Sequence, residues 1–142
     1  MPIVNFHLLD GHSTADAEAA LLEGATRIYC EVLKAPAERI RALISRHARK
    51  DFAVAGALCS AGGVHAPFFE FYVLQGRAQE DRQQLMARFT ELLVGTLGVR
   101  REDVRGVCRQ VAAEDWCIAG VPASVQRAGE IAARADGVGH GA

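Results

Sequence analysis

The 142-residue chain writes one phrase twice. "PIVNFHLLDGHS" at residues 2–13 returns as "PFFEFYVLQGRA" at residues 67–78, an offset of 65. A repeat constrains the fold strongly, because whatever the first half becomes the second must become too. Two half-sized units then have to bury their apolar faces on each other.

Each copy begins with alternating apolar residues, which reads as a strand ending at Asp10-Gly11 or Gln75-Gly76. Ser13 followed by Asp16 resembles a capping box opening a helix. Leu21, Ala25, Ile28 and Val32 then recur at helical spacing, as do Leu85, Phe89 and Leu92. Pro36 and Gly98 suit the helix ends. A second strand follows in each copy, "RIRALIS" and "DVRGVCRQV", which aligns Arg41 with Arg105 at an offset of 64. "KDFAVAGALCS" and "EDWCIAGVPAS" come next, with Phe52 and Trp116 in step, and each predicts a short hairpin or edge strand.

The expected fold is a single α+β domain over residues 1–142. Its β-α-β units span 2–59 and 67–124, joined by the Gly-rich linker 60–66 and followed by a tail at 125–142. Parallel strands within a unit need a crossover helix. Two units then make a four-stranded mixed sheet with both helices on one face. The other face needs cover, most simply from an oligomer. The end of the tail, "ARADGVGHGA", reads as disordered or loosely docked. A ferredoxin-like sandwich has the same order of elements, and pattern alone does not separate the two.

Sixteen basic and seventeen acidic residues leave a net charge of −1, which gives no argument for a nucleic-acid or membrane partner. No stretch is apolar enough to span a bilayer. Cys30, Cys59, Cys108 and Cys117 show no CxxC spacing, and no signal peptide is evident, so the expectation is a reduced, cytoplasmic protein. His7 and His12 make a poor metal pair and are expected to be structural, and no metal is expected. Tyr29 falls on the apolar stripe of its helix and is expected in the core. "GVGHGA" lacks the strand and helix that a phosphate loop needs.

Pro2 directly after the initiator methionine, with "IVNFHLLDGHS", "LKAPAERIR" and "DFAVAG" behind it, resembles the tautomerase superfamily. "VLQGR", "VRREDVR" and "DWCIAG" continue the likeness in the second half. The nearest group is that of 4-oxalocrotonate tautomerase, in its long form with two fused units, and the likeness covers about residues 2–124. It implies a cofactor-independent homotrimer acting on a small-molecule carboxylate. Pro2, freed by loss of Met1, would be the general base. An ordinary α-amino group titrates at about 7.7–8.0, and neighbouring arginines favour its neutral form. Such an amine can take a proton next to a carbonyl and return it elsewhere.

The resemblance also implies Arg77 as the arginine that grips the acid, and the first copy has His12 in that place. Arg41 and Arg105 share a second arginine position, and which of them serves Pro2 stays open. Phe52 and Trp116 share an aromatic wall position, with Trp116 expected at the Pro2 site. Pro67 is internal, so its nitrogen is an amide without a basic lone pair. Long relatives that hydrolyse haloacrylates use a carboxylate where Ile118 stands, and a further arginine where Leu74 stands. Dehalogenation is therefore disfavoured, unless Glu114 or Asp115 serves from a shifted loop. Decarboxylation or hydration at the same Pro–Arg site, and a non-catalytic relative that binds a small acid, are the alternatives.

Overall fold

The computed structural model describes residues 2–139. The first unit is β1 (Ile3–Leu9), α1 (Ala15–Leu33) and β2 (Arg41–His47), then a hairpin of β3 (Ala53–Val54) and β4 (Ala57–Leu58). The second is β5 (Phe68–Leu74), α2 (Gln79–Leu97), β6 (Arg105–Val111), and the hairpin β7 (Cys117–Ile118) and β8 (Val121–Pro122). A short helix α3 (Ala123–Gln126) leads into α4 (Ala128–Gly139).

The main sheet runs β2-β1-β5-β6. Each unit pairs its own strands in parallel, Ile3 opposite Arg41 and Phe68 opposite Arg105. The two units meet through an antiparallel β1–β5 pair, with Asn5 opposite Glu70. A ferredoxin-like sandwich would place another strand between the two strands of a unit. None lies there, and the mixed sheet expected from the repeat is the one observed. The antiparallel junction also sets which ends meet. The start of β1, with Pro2, lies beside the end of β5, and the start of β5, with Pro67, lies beside the end of β1.

Helix α1 starts one residue later than the sequence suggested. Thr14 is the cap, its Oγ1 accepting from the Ala17 amide at 3.1 Å, while Ser13 donates to Glu18 at 2.8 Å. Thr14 occupies the extended backbone position from which a side-chain oxygen reaches the first free amides. Gly98 closes α2 in the left-handed conformation, φ 68°, but Lys34 takes that place after α1.

The core lies between the helices and one sheet face. Val4, Phe6 and Leu8 of β1 and Phe69, Phe71 and Val73 of β5 point into it and are buried. The two helices fill it with complementary volumes. Ala25 and Phe89, equivalent positions of the repeat, are both fully buried. Gly24 lets α1 approach α2 closely, since a Cβ there would come within 2.7 Å of Leu92. Tyr29 is core, as expected, with its hydroxyl donating to the Ile3 carbonyl at 2.9 Å. Burial holds that hydroxyl's pKa well above the ordinary value.

Among the described residues no helix packs on the opposite sheet face. A polar chain crosses its middle: His47 to His7 at 2.8 Å, His7 to Glu70 at 3.2 Å, and Arg109 to Glu70 at 3.1 Å. Hydrogen bonds from His7 and then Arg109 lower the Glu70 pKa against the cost of its burial. Leu43, half exposed, stands on β2 at the edge of this sheet. Of the end of the tail, residues 133–142, expected to be disordered or loosely docked, residues 133–139 are helical as part of Ala128–Gly139. Its last three residues, 140–142, lie outside the described part. The four cysteines are free thiols.

Candidate active site

Because β1 and β5 are antiparallel, Arg77, three residues past the end of β5, arrives beside Pro2 rather than beside Pro67. The two line one small, partly open cavity with Leu33, Val73, Leu74 and Ile131. Pro2 is buried, and its carbonyl accepts from the Arg41 amide at 3.1 Å. Arg77 donates through Nη1 to the Leu33 carbonyl at 3.1 Å, which fixes the guanidinium against the end of α1.

The walls are strongly cationic. Among the described residues, Arg39, Arg127 and Arg134 join Arg77 around the cavity, with Glu130 as its one carboxylate. Burial lowers the Arg77 pKa, and repulsion from Arg134 and Arg39 adds to the effect, while Asp81 and Glu130 oppose it. An arginine so placed remains charged and lacks full compensation, so an incoming anion meets a site prepared for it. The Nε of Arg127 is buried without a hydrogen-bond partner.

A second, more open groove of about 420 Å³ adjoins this cavity. Arg41 and Trp116 line it together with Ile3 and Ile118. Arg39 and Arg127 belong to both walls and separate the two spaces. The Trp116 ring rests near Tyr72, centroids 6.2 Å apart. Four of the six sequence candidates, Pro2, Arg77, Arg41 and Trp116, thus gather at one end of the sheet. Phe52 and Arg105 stand at the other end, in a groove beside Pro67. Within one chain, parallel pairing puts Arg41 opposite Ile3, on the Pro2 side, and Arg105 opposite Phe68, on the Pro67 side.

Other expectations can be placed too. Leu74 lines the cavity and Ile118 the groove, so neither place holds the carboxylate or extra arginine of a haloacrylate-hydrolysing site. Glu114 and Asp115 line a separate recess beyond Trp116. Among the described residues no group of three His, Cys, Asp or Glu side chains is arranged to hold a metal ion. No helix among them is long and apolar enough to cross a membrane. The sequence reading missed Arg39, Arg127, Glu130 and Arg134. Three of these lie on or just before α4, where Arg127, Ile131 and Arg134 recur at helical spacing. That spacing was the available signal.

At the Pro67 end the equivalents of Leu74 and Arg77 are Leu9 and His12. Both are engaged by His65 of the linker, whose Nε2 accepts from the Leu9 amide at 3.2 Å and whose ring lies 4.0 Å from that of His12. Burial, with help from His12 and Arg49, pushes the His65 pKa down to about 4, so it stays neutral in its pocket at pH 7.

The tautomerase enzyme family profile matches the chain twice, at residues 2–62 and at 67–126. The chain belongs to this family. Among its relatives, a probable tautomerase of Ralstonia nicotianae is 36% identical over 61 residues, 43% of this chain and 87% of that protein. The 2-hydroxymuconate tautomerase of Comamonas testosteroni is 37% identical over 57 residues, 40% of this chain and 90% of that enzyme. Each of these relatives corresponds to one unit of the tautomerase chain described here. A solved fused 4-OT, described as a symmetric trimer, is 27% identical, covers 87% of this chain and 98% of its own, and superposes with a TM-score of 0.78. A native fused 4-OT shares the fold at a TM-score of 0.80 with 21% identity over the same share of this chain and 97% of its own. The helix α4 falls wholly outside the residues that the family profile matches.

Proposed function

We propose that this tautomerase interconverts the enol and keto forms of small unsaturated 2-oxo acids, with Pro2 as general base and no cofactor. The supporting observation is that Pro2 and Arg77 share one buried, cationic cavity. With Met1 removed, Pro2 presents a secondary amine there, and the surrounding guanidinium groups favour its neutral form. The amine takes a proton from one carbon or oxygen of the substrate and returns it to another. Arg77 grips the carboxylate and offsets the negative charge that develops on the enolate oxygen. Arg41 and Trp116 form the outer wall against which the rest of the acid lies. The catalytic form is a homotrimer, supported by the bare sheet face and by the trimeric fused 4-OT of similar fold.

The first experiment uses chain made without an N-terminal tag. Its intact mass is expected to lack one methionine. In solution it is expected at three times the chain mass of 15.2 kDa, and it should speed the loss of 2-hydroxymuconate absorbance. A chain that keeps Met1 has an amide at Pro2 and should show no such activity. If the Met1-retaining and Met1-free forms turn over equally, Pro2 is not the base.

Replacing Arg77 by alanine is expected to reduce kcat/KM about 10²–10³-fold, the cost of losing one charged group that meets developing negative charge. Steady-state kinetics on the purified variant check this. A change of less than about tenfold would remove Arg77 from the mechanism.

A further inference from the structure

The cavity around Pro2 and Arg77 encloses only about 30 Å³. On that measure it holds about two water molecules, and an unsaturated 2-oxo acid is several times larger. An acid of that size needs more room beside Pro2 than this cavity offers. The wall on one side of the cavity is α4. Of the side chains described there, Arg127 just before it and Ile131 and Arg134 within it turn inward with Glu130, and none of the four is fully buried. The helix also contains Gly129, Gly137 and Gly139, each of which weakens a helix by about 1 kcal/mol relative to alanine.

One polar contact of this wall has the form of a bound substrate. Glu130 Oε2 accepts from Arg39 Nη1 at 2.9 Å, and its Oε1 accepts from Arg39 Nη2 at 3.0 Å. This is the two-pronged pairing by which a guanidinium takes the carboxylate of a small acid. It stands at the partition between the Pro2 cavity and the Trp116 groove, beside the unpartnered Nε of Arg127. We propose that Arg39 is a carboxylate-binding group of the Pro2 site, and that Glu130 is an internal carboxylate which occupies it until a small organic acid takes its place. Exchange of one carboxylate for the other releases the start of α4 at Glu130 and joins the cavity to the groove, which gives a space large enough for the acid. The exchange keeps Arg39 paired throughout, so the wall opens without leaving a bare charge behind it.

The proposal rests on the cavity being the substrate site, so its test uses an acid that is not turned over. Hydrogen exchange of amides 128–139 is followed with and without fumarate, alongside fumarate affinity by calorimetry. Wild type should exchange faster in this segment when fumarate is bound. Glu130→Gln, a change at a half-exposed side chain, should exchange fast without fumarate and bind it about two- to fivefold more tightly, the scale of a competing surface ion pair. Arg39→Gln should bind fumarate at least about tenfold more weakly. Slower exchange on binding fumarate, an unchanged affinity in Glu130→Gln, or no binding by wild type and Glu130→Gln alike overturns the proposal. Pro2→Ala separates it from the catalytic reading: that variant should keep the fumarate response while losing turnover, and each result stands without the other.

Discussion

Pro2→Ala is expected to lower kcat about 10²–10⁴-fold, the usual contribution of a positioned general base, with the melting temperature and the assembly unchanged. The substitution leaves an α-amino group at the same end of the chain, but removes the ring that fixes the nitrogen against the cavity wall. It does not touch the hydrogen bond from the Arg41 amide to the residue 2 carbonyl, which anchors this end of β1. The same substitution at Pro67 is the control. Pro67 is fully buried, and its carbonyl accepts from the Arg105 amide at 3.1 Å, in the same way as Pro2 and Arg41. Its nitrogen, however, is a chain amide, so Pro67→Ala should cost stability and leave kcat within a few-fold of wild type. Activity and melting temperature measured on both variants give opposite patterns. A loss of less than tenfold in Pro2→Ala would favour the reading of the chain as a small-acid-binding relative.

The largest effect on stability is expected at Phe89. Four aromatic rings surround it, those of Tyr29, Phe71, Phe69 and Phe6, with centroids 5.1, 5.4, 5.9 and 6.1 Å away and ring planes steeply inclined to its own. It touches both halves of the repeat, so removing it loosens the contact between α2 and the sheet on both sides of the β1–β5 junction. Phe89→Ala should destabilise the protein by about 3–5 kcal/mol, read as a lower midpoint in urea with the activity per folded molecule retained. The equivalent position in α1 already carries Ala25, so the site cannot collapse by drawing on a larger neighbour there. A cost below about 1 kcal/mol would mean that the aromatic cluster repacks around the gap.

Much of this architecture is legible in the repeat. The alternation in "PIVNFHLL" and "PFFEFYVL" makes each a strand with one buried face, and the matching helical stripes place both helices on that face. The mixed sheet follows from two parallel units with a short linker. What the pattern does not carry is which ends of the two units meet. Arg41 and Arg105 are equivalent in sequence, and so are Phe52 and Trp116. Parallel pairing within each unit puts Arg41 on the Pro2 side and Arg105 on the Pro67 side. Only the antiparallel pairing of β1 with β5 brings Trp116 to the first and Phe52 to the second, and hydrogen-bond direction at a junction leaves no trace in hydrophobic periodicity.

The helix α4 was hidden for a different reason. "AGEIAARADGVG" carries three glycines, which offset the strong helix propensity of its alanines. It forms because Ile131 and the arginines on one stripe find the cavity rim, and Glu130 finds Arg39. Those partners are about 90 residues away in sequence or on another element. Contacts of that kind are made by the tertiary fold and are invisible to a window. The cap at Thr14 shows the same limit at small scale. Ser13 and Thr14 are both able to cap, and backbone conformation at one residue decides between them.

The side chain of His65 has a consequence for stoichiometry. It fills, from within the chain, the place at the Pro67 end that corresponds to the vacant cavity at the Pro2 end, and stays uncharged while doing so. Duplication of the unit therefore did not double the number of seats for a ligand. A titration with a tight small acid should saturate at one equivalent per chain, three per trimer, and a reagent that alkylates the free amine of Pro2 should add a single label. The second half instead lends Arg77 and Trp116 to the place beside Pro2.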